Sequence, residues 1–445
     1  MSTDLQSTTA TISNHALPPN AQLTHSFVPF SPKNLHESGL QDYEVEALIL
    51  KALHARGAAT SRQLADQIKL PGEIIRNCLD RLRAELLVVH RGTSDLVDFV
   101  FQLTEGGVQR TGLYLAKNSY CGSAPVPVEK YIDSVNQQTV ASKVIRLEDF
   151  RRALSGLFLT TETQSQLAQA VNSGRGVFLY GPAGNGKTSV ACQLMKCYRD
   201  FVWIPRAISV GGDIIRLYDS SVHQDVGAAR AGIETDKVEV DPRWVLIERP
   251  TVVVGGELMM EHLELQLKTG TGVFEAPVQL KSNLGTLVID DFGRQRVSPT
   301  DILNRWIVPL ERRVDFLMTP SGRQLQLPFE QILVLATNLE PTELVDEAFL
   351  RRIPYKIELT DPNEQSLQAV FVKVAEKLGL KVEAGSFEHL LEKQYHGTGT
   401  PMRYCHPRDL LFQVKNLCEL HGLPKVVTPK TLNAVTRNNK SRGWQ

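Results

Sequence analysis

The sequence predicts an α/β protein with a parallel sheet, a smaller mixed domain in front of it and a helical domain behind it. Three observations carry this prediction. Residues 143–358 alternate apolar, strand-forming runs with helical stretches, the pattern of a parallel sheet covered by helices. Residues 37–117 show three helical stretches and then two strand-forming runs around a turn. Beyond residue 358 strand signals fade, and four helical segments predict a lid over residues 359–445.

Composition limits the classes of protein to consider. A chain of 445 residues is too long for one ordinary domain of about 150 residues. Lys plus Arg equals Asp plus Glu at 49 each, so no global charge favours nucleic acid or membrane. The longest apolar runs fall far below the roughly 20 residues that a bilayer crossing requires, and the six cysteines show no metal-binding spacing. We therefore expect a cytoplasmic protein without membrane insertion.

The N-terminal third divides into three predicted segments. Residues 1–36 are rich in Ser, Thr, Asn and Pro, which predicts a disordered leader. Residues 37–117 resemble a winged-helix domain: apolar residues recur at helical spacing from residue 42, Thr60 caps a second helix, and a hairpin follows a third helix. Residues 118–142 include a Pro- and Gly-containing stretch, which predicts a semi-rigid linker.

The winged-helix resemblance raises the question of nucleic acid. Such domains often contact DNA through the third helix, which here offers Arg76, Arg81 and Arg83. However, residues 37–117 contain ten Lys and Arg against eleven Asp and Glu, a poor electrostatic match to a duplex. We therefore favour a protein partner for this domain, with nucleic acid as the alternative.

Residues 177–191 form the clearest motif. A buried strand leads into a loop that satisfies the pattern GxxxxGK[ST] in full, and a helix follows. The residues predicted to bind ATP are Gly181, Pro182, Ala183, Gly184, Asn185, Gly186, Lys187, Thr188 and Ser189. The glycines let backbone N–H groups turn toward phosphates. Lys187 is expected to reach the β- and γ-phosphates, and the Thr188 hydroxyl to bind Mg²⁺.

Two adjacent carboxylates follow a second apolar strand, in the sequence LVIDDFG. Asp290 is placed to hold the metal opposite Thr188. Asp291 then lies where it can polarise an attacking water. A protein-kinase interpretation of Asp291-Phe292-Gly293 fails, because no HRD-type loop precedes it and the phosphate loop is of another class.

Three further polar positions follow in order. The buried strand in residues 331–341 ends in Thr337 and Asn338, where the Asn338 amide beside the γ-phosphate would help to orient water. Arg351 and Arg352 close the α/β domain as a pair. Arg408 lies in the first turn of a helix in the lid.

Together these motifs resemble those of the AAA+ ATPases: P-loop, Walker B, sensor 1, arginine finger and sensor 2, over about residues 143–440. With the N-terminal domain, the chain resembles a bacterial AAA+ group labelled ATPases with chaperone activity. The resemblance implies a P-loop fold with a helical lid, a homo-oligomeric ring, usually a hexamer, and an unidentified protein substrate. It also implies that Arg351 or Arg352, with Arg352 preferred, acts on a neighbour's ATP, and that Arg408 reports nucleotide state to the lid.

Two features depart from the family pattern. Asp291 stands where a Glu is usual, which leaves a slowly hydrolysing, ATP-gated scaffold as an alternative function. The interval between Thr188 and Asp290 is long and rich in strand formers, and residues 314–329 predict a further hairpin. These insertions either project from the ring toward a substrate, with Phe274, Met259 and Met260 as pore candidates, or form extra sheet packing. A DNA-associated loader or regulator is the other functional alternative.

Overall fold

The computed structural model describes residues 27–93, 99–140, 143–227, 239–319 and 321–439. The N-terminal unit combines five helices with a small antiparallel sheet of order β1-β3-β2. Its elements are α1 (Leu35–Ser38), α2 (Asp42–Arg56), β1 (Ala58–Thr60), α3 (Ser61–Ile68), α4 (Gly72–Ala84), β2 (Val88–Thr93), β3 (Phe99–Leu103) and α5 (Glu105–Lys117).

Local sequence explains these boundaries. Helix α2 buries Val45, Ile49 and Leu53 and ends at Gly57, whose positive φ of 80° suits a residue without Cβ. The Thr60 side chain accepts a hydrogen bond from the backbone N–H of Gln63 and so caps α3. Strand β1 was not predicted, because three residues are too few to show a strand period.

Order extends further toward the N-terminus than the predicted leader of residues 1–36. Residues 1–26 lie outside the described residues, but Phe27 packs on Trp244 with ring centroids 5.3 Å apart. The backbone N–H of Asp241 donates to the Pro29 oxygen at 2.9 Å. The leader prediction is therefore wrong for residues 27–36, which contact a distant part of the chain.

The linker prediction for residues 118–142 is also wrong. This segment contains β4 (Val126–Pro127) and α6 (Val128–Gln138). Tyr131 and Val135 of α6 are fully buried in an apolar core, and the Tyr131 hydroxyl accepts a hydrogen bond from Asn283 Nδ2 at 2.9 Å. The Pro and Gly residues mark turns at the start of a packed helix.

A five-stranded parallel sheet forms the centre of residues 143–358, with order β10-β13-β16-β5-β17. Its three inner strands are apolar and largely buried: β5 (Val177–Tyr180), β13 (Thr286–Ile289) and β16 (Ile332–Ala336). Its edge strands are β10 (Thr251–Val254) and β17 (Tyr355–Glu358), and β17 exposes Lys356 and Glu358. Helices cover both faces, as a parallel sheet requires. They are α7 (Leu147–Ala153), α8 (Thr161–Ser173), α9 (Lys187–Ala191), α10 (Val278–Lys281), α11 (Pro299–Arg312), α12 (Pro341–Leu344) and α13 (Glu347–Arg352).

The long interval before Asp290 folds as additional sheet. A pair, β6 (Phe201–Pro205) with β9 (Trp244–Glu248), lies beside a second sheet of order β11-β12-β8-β7-β4. The other strands of these sheets within the interval are β7 (Ala207–Val210), β8 (Asp213–Arg216), β11 (Gln266–Lys268) and β12 (Val273–Glu275), with single 3₁₀ turns at Leu194–Cys197 and Met260–Leu263. Two further strands, β14 (Val314–Met318) and β15 (Gln324–Pro328), follow Asp290.

These insertions pack inward. The predicted hairpin at 314–329 is present as β14 and β15, and its Leu317, Leu325 and Leu327 join the core that α6 shares with the second sheet. Phe274 is buried in the same core, so the prediction that it lines a pore is wrong. Met259 and Met260 are half-buried. Extra sheet packing, the second of the two alternatives, therefore describes the interval.

The C-terminal lid is a helical unit with a two-stranded parallel sheet. Its elements are α14 (Glu364–Leu378), β18 (Lys381–Val382), α15 (Ser386–Leu390), a π-helical turn at Leu391–His396, α16 (His406–Leu420), β19 (Val426–Val427) and α17 (Pro429–Asn439). Asn363 caps α14 through its side chain, and Gly379 ends that helix with a positive φ. Within the described ranges, no helix has the length and apolar character needed to cross a bilayer.

Candidate active site

Sheet order brings the predicted motifs to one edge. Strand β5 leads into the phosphate loop, and β16 lies between β5 and β13, which ends at the acidic pair. Since all strands are parallel, their carboxyl ends meet at the same edge. Asn338, two residues beyond β16, therefore stands between the phosphate loop and Asp290.

The phosphate loop depends on glycine at defined positions. Gly181, Gly184 and Gly186 have φ values of 123°, 87° and 83°, a region that disfavours residues with Cβ. A Cβ at Gly181 would lie 2.7 Å from the Leu359 backbone oxygen, and one at Gly184 would lie 2.5 Å from Cys405 Sγ. The loop is thus held tightly by β17 and by the lid. Ala183 and Ser189 are exposed, and Pro182 is half-buried.

Lys187 is the cation at the centre of the site. Its Nζ donates to the backbone oxygens of Gly181 at 2.8 Å and Pro182 at 3.0 Å, and to Asn338 Oδ1 at 2.6 Å. Burial lowers the pKa of Lys187, and the nearby carboxylates of Asp291 and Asp290 oppose that change. A buried ammonium group of this kind favours an anionic ligand.

Thr188 and Asp290 face each other across the sheet edge. The Thr188 hydroxyl lies 2.9 Å from both Asp290 carboxylate oxygens. Hydroxyl and carboxylate oxygens are the ligands that Mg²⁺ prefers, usually with water and substrate phosphates completing the shell. No cluster of three His, Cys, Asp or Glu side chains that could hold a metal occurs in the described part of the chain. The pair therefore fits Mg²⁺ that arrives with a phosphate ligand.

Asp291 has an unusual backbone. Its φ is 49°, its side chain is exposed, and its backbone N–H donates to Asp290 Oδ1 at 3.1 Å. Asn338 Nδ2 lies 3.4 Å from Asp291 Oδ1, so one amide contacts both Lys187 and Asp291. The left-handed conformation turns the second carboxylate of the pair away from the first.

Two further residues hold this turn. The Gln295 amide donates to the backbone oxygens of Asp290 at 2.9 Å and Asp291 at 3.2 Å, and its Oε1 accepts from the Gly293 N–H at 2.8 Å. Phe292 is buried and its N–H donates to the Ala336 oxygen at 2.7 Å. Sequence analysis missed Gln295, because nothing in a polar run signals a side chain that folds back onto a turn.

The lid contacts the phosphate loop through Asn185. Asn185 Nδ2 donates to the Leu359 oxygen at 3.1 Å and to Asp361 Oδ1 at 2.8 Å, and Asp361 pairs with Arg403. Sequence analysis selected neither Asp361 nor Arg403. Arg408, which it did select, has a side chain that is 73% exposed and pairs with Asp409 at 3.2 Å. Arg403, five residues earlier, is the arginine that the structure brings to the phosphate loop.

The paired arginines at the end of α13 differ in their surroundings. Arg352 Nε donates to Glu311 Oε1 at 2.6 Å, its Nη1 donates to the Ala348 oxygen at 2.9 Å, and its side chain is 27% exposed. Arg351 is 75% exposed and pairs only one turn away, with Glu347 at 2.8 Å. Of the two, Arg351 is the more accessible to a neighbouring molecule.

A family model and several solved structures are similar to parts of this chain. Residues 363–438 match a family model described as a domain of unknown function (DUF8689). No functionally curated protein matches the chain. Among solved structures, NtrX from Brucella abortus in complex with ATP is 14% identical, over 64% of this chain and 58% of that chain, with a TM-score of 0.38. The Thermotoga maritima RuvB Holliday junction branch migration motor is 13% identical, over 63% of this chain and 70% of that chain, with a TM-score of 0.35.

These structural likenesses are too weak to carry an argument about function. The class of fold follows from the chain itself: a parallel sheet whose first strand enters a GxxxxGK[ST] loop, with a helical lid against that loop. This is an α/β P-loop fold.

Proposed function

We propose that the chain is a Mg²⁺-dependent ATPase of the AAA+ type that works as a homo-oligomer on a protein partner. The observation that carries the ATPase proposal is the convergence of four side chains from three strand ends. Lys187 Nζ lies 2.6 Å from Asn338 Oδ1, and the Thr188 hydroxyl lies 2.9 Å from both oxygens of Asp290.

In the proposed site each residue has one task. Backbone N–H groups of residues 181–188 and Lys187 bind the phosphates of ATP, and Thr188 and Asp290 hold Mg²⁺. Bound Mg²⁺ would neutralise charge that develops on the phosphates. Asp291 accepts a proton from the water that attacks the γ-phosphate, and Asn338 positions that carboxylate through its amide. Exposure of Asp291 gives this water access.

The lid contact supplies a cis arginine. Arg403 pairs with Asp361, which accepts a hydrogen bond from Asn185 of the phosphate loop. A phosphate in the loop competes with Asp361 for Arg403, so nucleotide binding and lid position are coupled. We therefore assign to Arg403 the role that the family resemblance placed on Arg408.

Exposure of Arg351 supports an oligomer in which it reaches a neighbour's ATP. Arg352 is already held by Glu311 and by the Phe349 ring, so its movement would cost those contacts. The preference between the two arginines is therefore reversed in favour of Arg351. A closed ring, usually a hexamer in the resembling family, is part of the proposal.

A protein partner is favoured over DNA by the state of the α4 arginines. Arg81 forms an ion pair with Asp42, and Arg83 Nη1 contacts His90 Nε2 at 2.6 Å. Only Arg76 of the three is an exposed cation without an ion pair among the described residues. If all three arginines were to contact DNA phosphates, Arg81 would have to leave Asp42 and Arg83 would have to leave His90.

Nucleotide affinity tests the proposal at its base. A fluorescent ATP analogue should bind the wild type with Mg²⁺ and should bind Lys187→Ala at least about tenfold more weakly, because a charge-assisted hydrogen bond is lost. Lys381→Ala, an exposed lysine in the lid, is the matched control and should bind normally. Equal affinity of Lys187→Ala and the wild type would contradict the assignment of the phosphate loop.

A further inference from the structure

A polar cavity lies beside the inserted sheet, outside the candidate active site. It has a volume of about 360 Å³ and is formed where the chain leaves α5 and runs past strands β8, β11 and β12. Six residues of its wall matter here: Tyr120, Cys121, Arg206, Arg216, Tyr218 and Lys268. None of them belongs to the candidate active site, so the cavity is a separate feature.

Arg206 is the most informative residue of this cavity. Its Nε is buried and has no hydrogen-bond partner. Its guanidinium carbon lies 5.4 Å from the centroid of the Tyr218 ring, and that ring stacks on His223 at 5.9 Å. The stack fixes the guanidinium group while its donor stays unsatisfied. Buried donors without a partner are rare in folded proteins, and this one belongs to a side chain that lines an open cavity, where an acceptor can approach the guanidinium group.

The charge of the cavity is positive. Arg206, Arg216 and Lys268 line it, against the single carboxylate of Glu275, which pairs with Arg216. Lys268 is exposed and has no ion pair with a described residue. Burial raises the pKa of the Tyr120 hydroxyl, and the positive charges of Arg216 and Arg206 oppose that rise. An anion entering the cavity would meet two uncompensated cations.

The side chains that line the cavity indicate which chemical class of ligand it would bind. An arginine presents its N–H groups as a rigid fork that matches the oxygens of phosphate or carboxylate. Two excess positive charges favour a dianion over a single carboxylate. The Tyr218 ring already contacts Arg206 and stacks on His223, so it helps to position the guanidinium group. We propose that this cavity binds the dianionic phosphate group of a small phosphate ester.

Cys121 provides a local reporter, because its thiol is free and the residue lines the cavity. The full chain is alkylated with iodoacetamide in increasing inorganic phosphate, and the labelling rate of each cysteine is followed by peptide mass spectrometry. Phosphate should slow the labelling of Cys121. In Arg206→Gln/Lys268→Gln the phosphate affinity read from this rate should fall by at least about tenfold, since charge-assisted hydrogen bonds are lost. The charge-matched control, Arg76→Gln/Lys381→Gln, should keep wild-type protection.

Three controls test whether the protection of Cys121 is specific to phosphate and arises at this cavity. Chloride at equal ionic strength should not protect Cys121, and acetate, a carboxylate monoanion, should protect it less than phosphate does. Protection should persist in Lys187→Ala, which removes phosphate binding at the phosphate loop. Equal protection by chloride, or none by phosphate in the wild type, would overturn the proposal, and neither result depends on how a variant folds. Loss of protection in Lys187→Ala would also overturn it, because the effect would then originate at the phosphate loop.

Discussion

At the scale of single residues, the backbone gives two neighbouring carboxylates different surroundings. Asp290 ends a buried strand and faces Thr188. Asp291 has a φ of 49° and an exposed side chain that contacts Asn338. A left-handed residue other than Gly is uncommon, and Asp and Asn adopt this conformation more readily than most. The left-handed backbone at residue 291 is therefore a physical reason for Asp at this position, where the AAA+ ATPases that the motifs resemble usually have Glu.

Asp291→Asn tests the role of the second carboxylate. Asn tolerates the same backbone conformation but cannot accept a proton from water. We expect ATP turnover, measured as phosphate release, to fall by about a hundredfold or more, with nucleotide affinity unchanged. Unchanged turnover would exclude Asp291 as the general base.

Asp291→Glu asks whether the short side chain limits the rate. Glu restores the usual reach but fits the left-handed backbone less well, at a cost of about 1 kcal/mol. We expect a lower melting temperature together with changed turnover at unchanged nucleotide affinity. A variant that is destabilised but turns over ATP at the wild-type rate would show that side-chain length does not set the rate.

At the scale of elements, the lid touches the phosphate loop directly. Cys405 stands against Gly184, and Asp361 and Arg403 stand beside Asn185. These contacts join segments more than 170 residues apart in sequence, as the Asn185–Leu359 hydrogen bond does. In the proposed function, these contacts link the occupancy of the loop to the position of the lid.

Gly184→Ala should disturb this contact. The added Cβ would lie 2.5 Å from Cys405 Sγ and would sit at a positive φ, so we expect weaker nucleotide binding and a stability loss of about 1–2 kcal/mol. Gly156→Ala is the control, because nothing lies within 4 Å of its Cβ. Adding Cys405→Ala should restore part of the loss by removing the sulfur, and a double variant as poor as the single one would contradict this packing.

His406, at the start of α16, should make the stability of the lid depend on pH. Burial, with repulsion from Arg403, lowers its pKa to about 4 from 6.5. Between these two pKa values the unfolded chain binds more protons than the folded chain. The contribution of His406 to the free energy of unfolding is therefore fully present above pH 6.5 and is lost as the pH falls toward 4. Allowing for solvent screening, the loss is about 2 kcal/mol. In His406→Asn, which cannot titrate, the decrease in melting temperature from about pH 7.5 to about pH 5 should be smaller, and an equal decrease would contradict it.

Most elements of this fold could be predicted from local sequence, but the contacts between distant segments could not. The lid helices were predictable because each buries one face and so repeats apolar residues at helical spacing. The central strands were predictable because buried strands are continuous apolar runs. The phosphate loop and the acidic pair were predictable because their chemistry restricts residue type at fixed spacing. Arg403, Asp361 and Gln295 were not, since their roles arise from contacts between distant segments. The same reason explains why α6 was mistaken for a linker: its partners, such as Asn283, lie far along the chain.

At the scale of the whole molecule, the chain surrounds one P-loop domain with elements from both ends. Arg243, buried beside Asp241, donates to the Ser38 oxygen at 3.0 Å and so fixes the N-terminal unit to the inserted strands. The inserted sheet, α6 and hairpin β14–β15 share one core. The inserted region is therefore packed as a unit, and Arg351 is exposed on the P-loop domain.

Subunit mixing tests whether sites are shared between neighbours. Arg351→Ala alone should bind ATP normally but hydrolyse it about a thousandfold more slowly, and Lys187→Ala alone should not bind it. Mixed oligomers should recover turnover, because the intact Arg351 of a Lys187→Ala subunit can act on the ATP of an Arg351→Ala subunit. No recovery in oligomers shown to contain both variants would contradict action in trans.

The decisive experiment for an ATPase with this site is Mg²⁺-dependent ATP turnover. We expect the wild type to release phosphate only with Mg²⁺, and we expect Asp290→Asn, which leaves Lys187 and the loop in place, to bind ATP but to lose both turnover and its metal dependence. Magnesium-dependent turnover in Asp290→Asn at the wild-type rate would show that the convergence of Thr188 and Asp290 is not the site of the reaction.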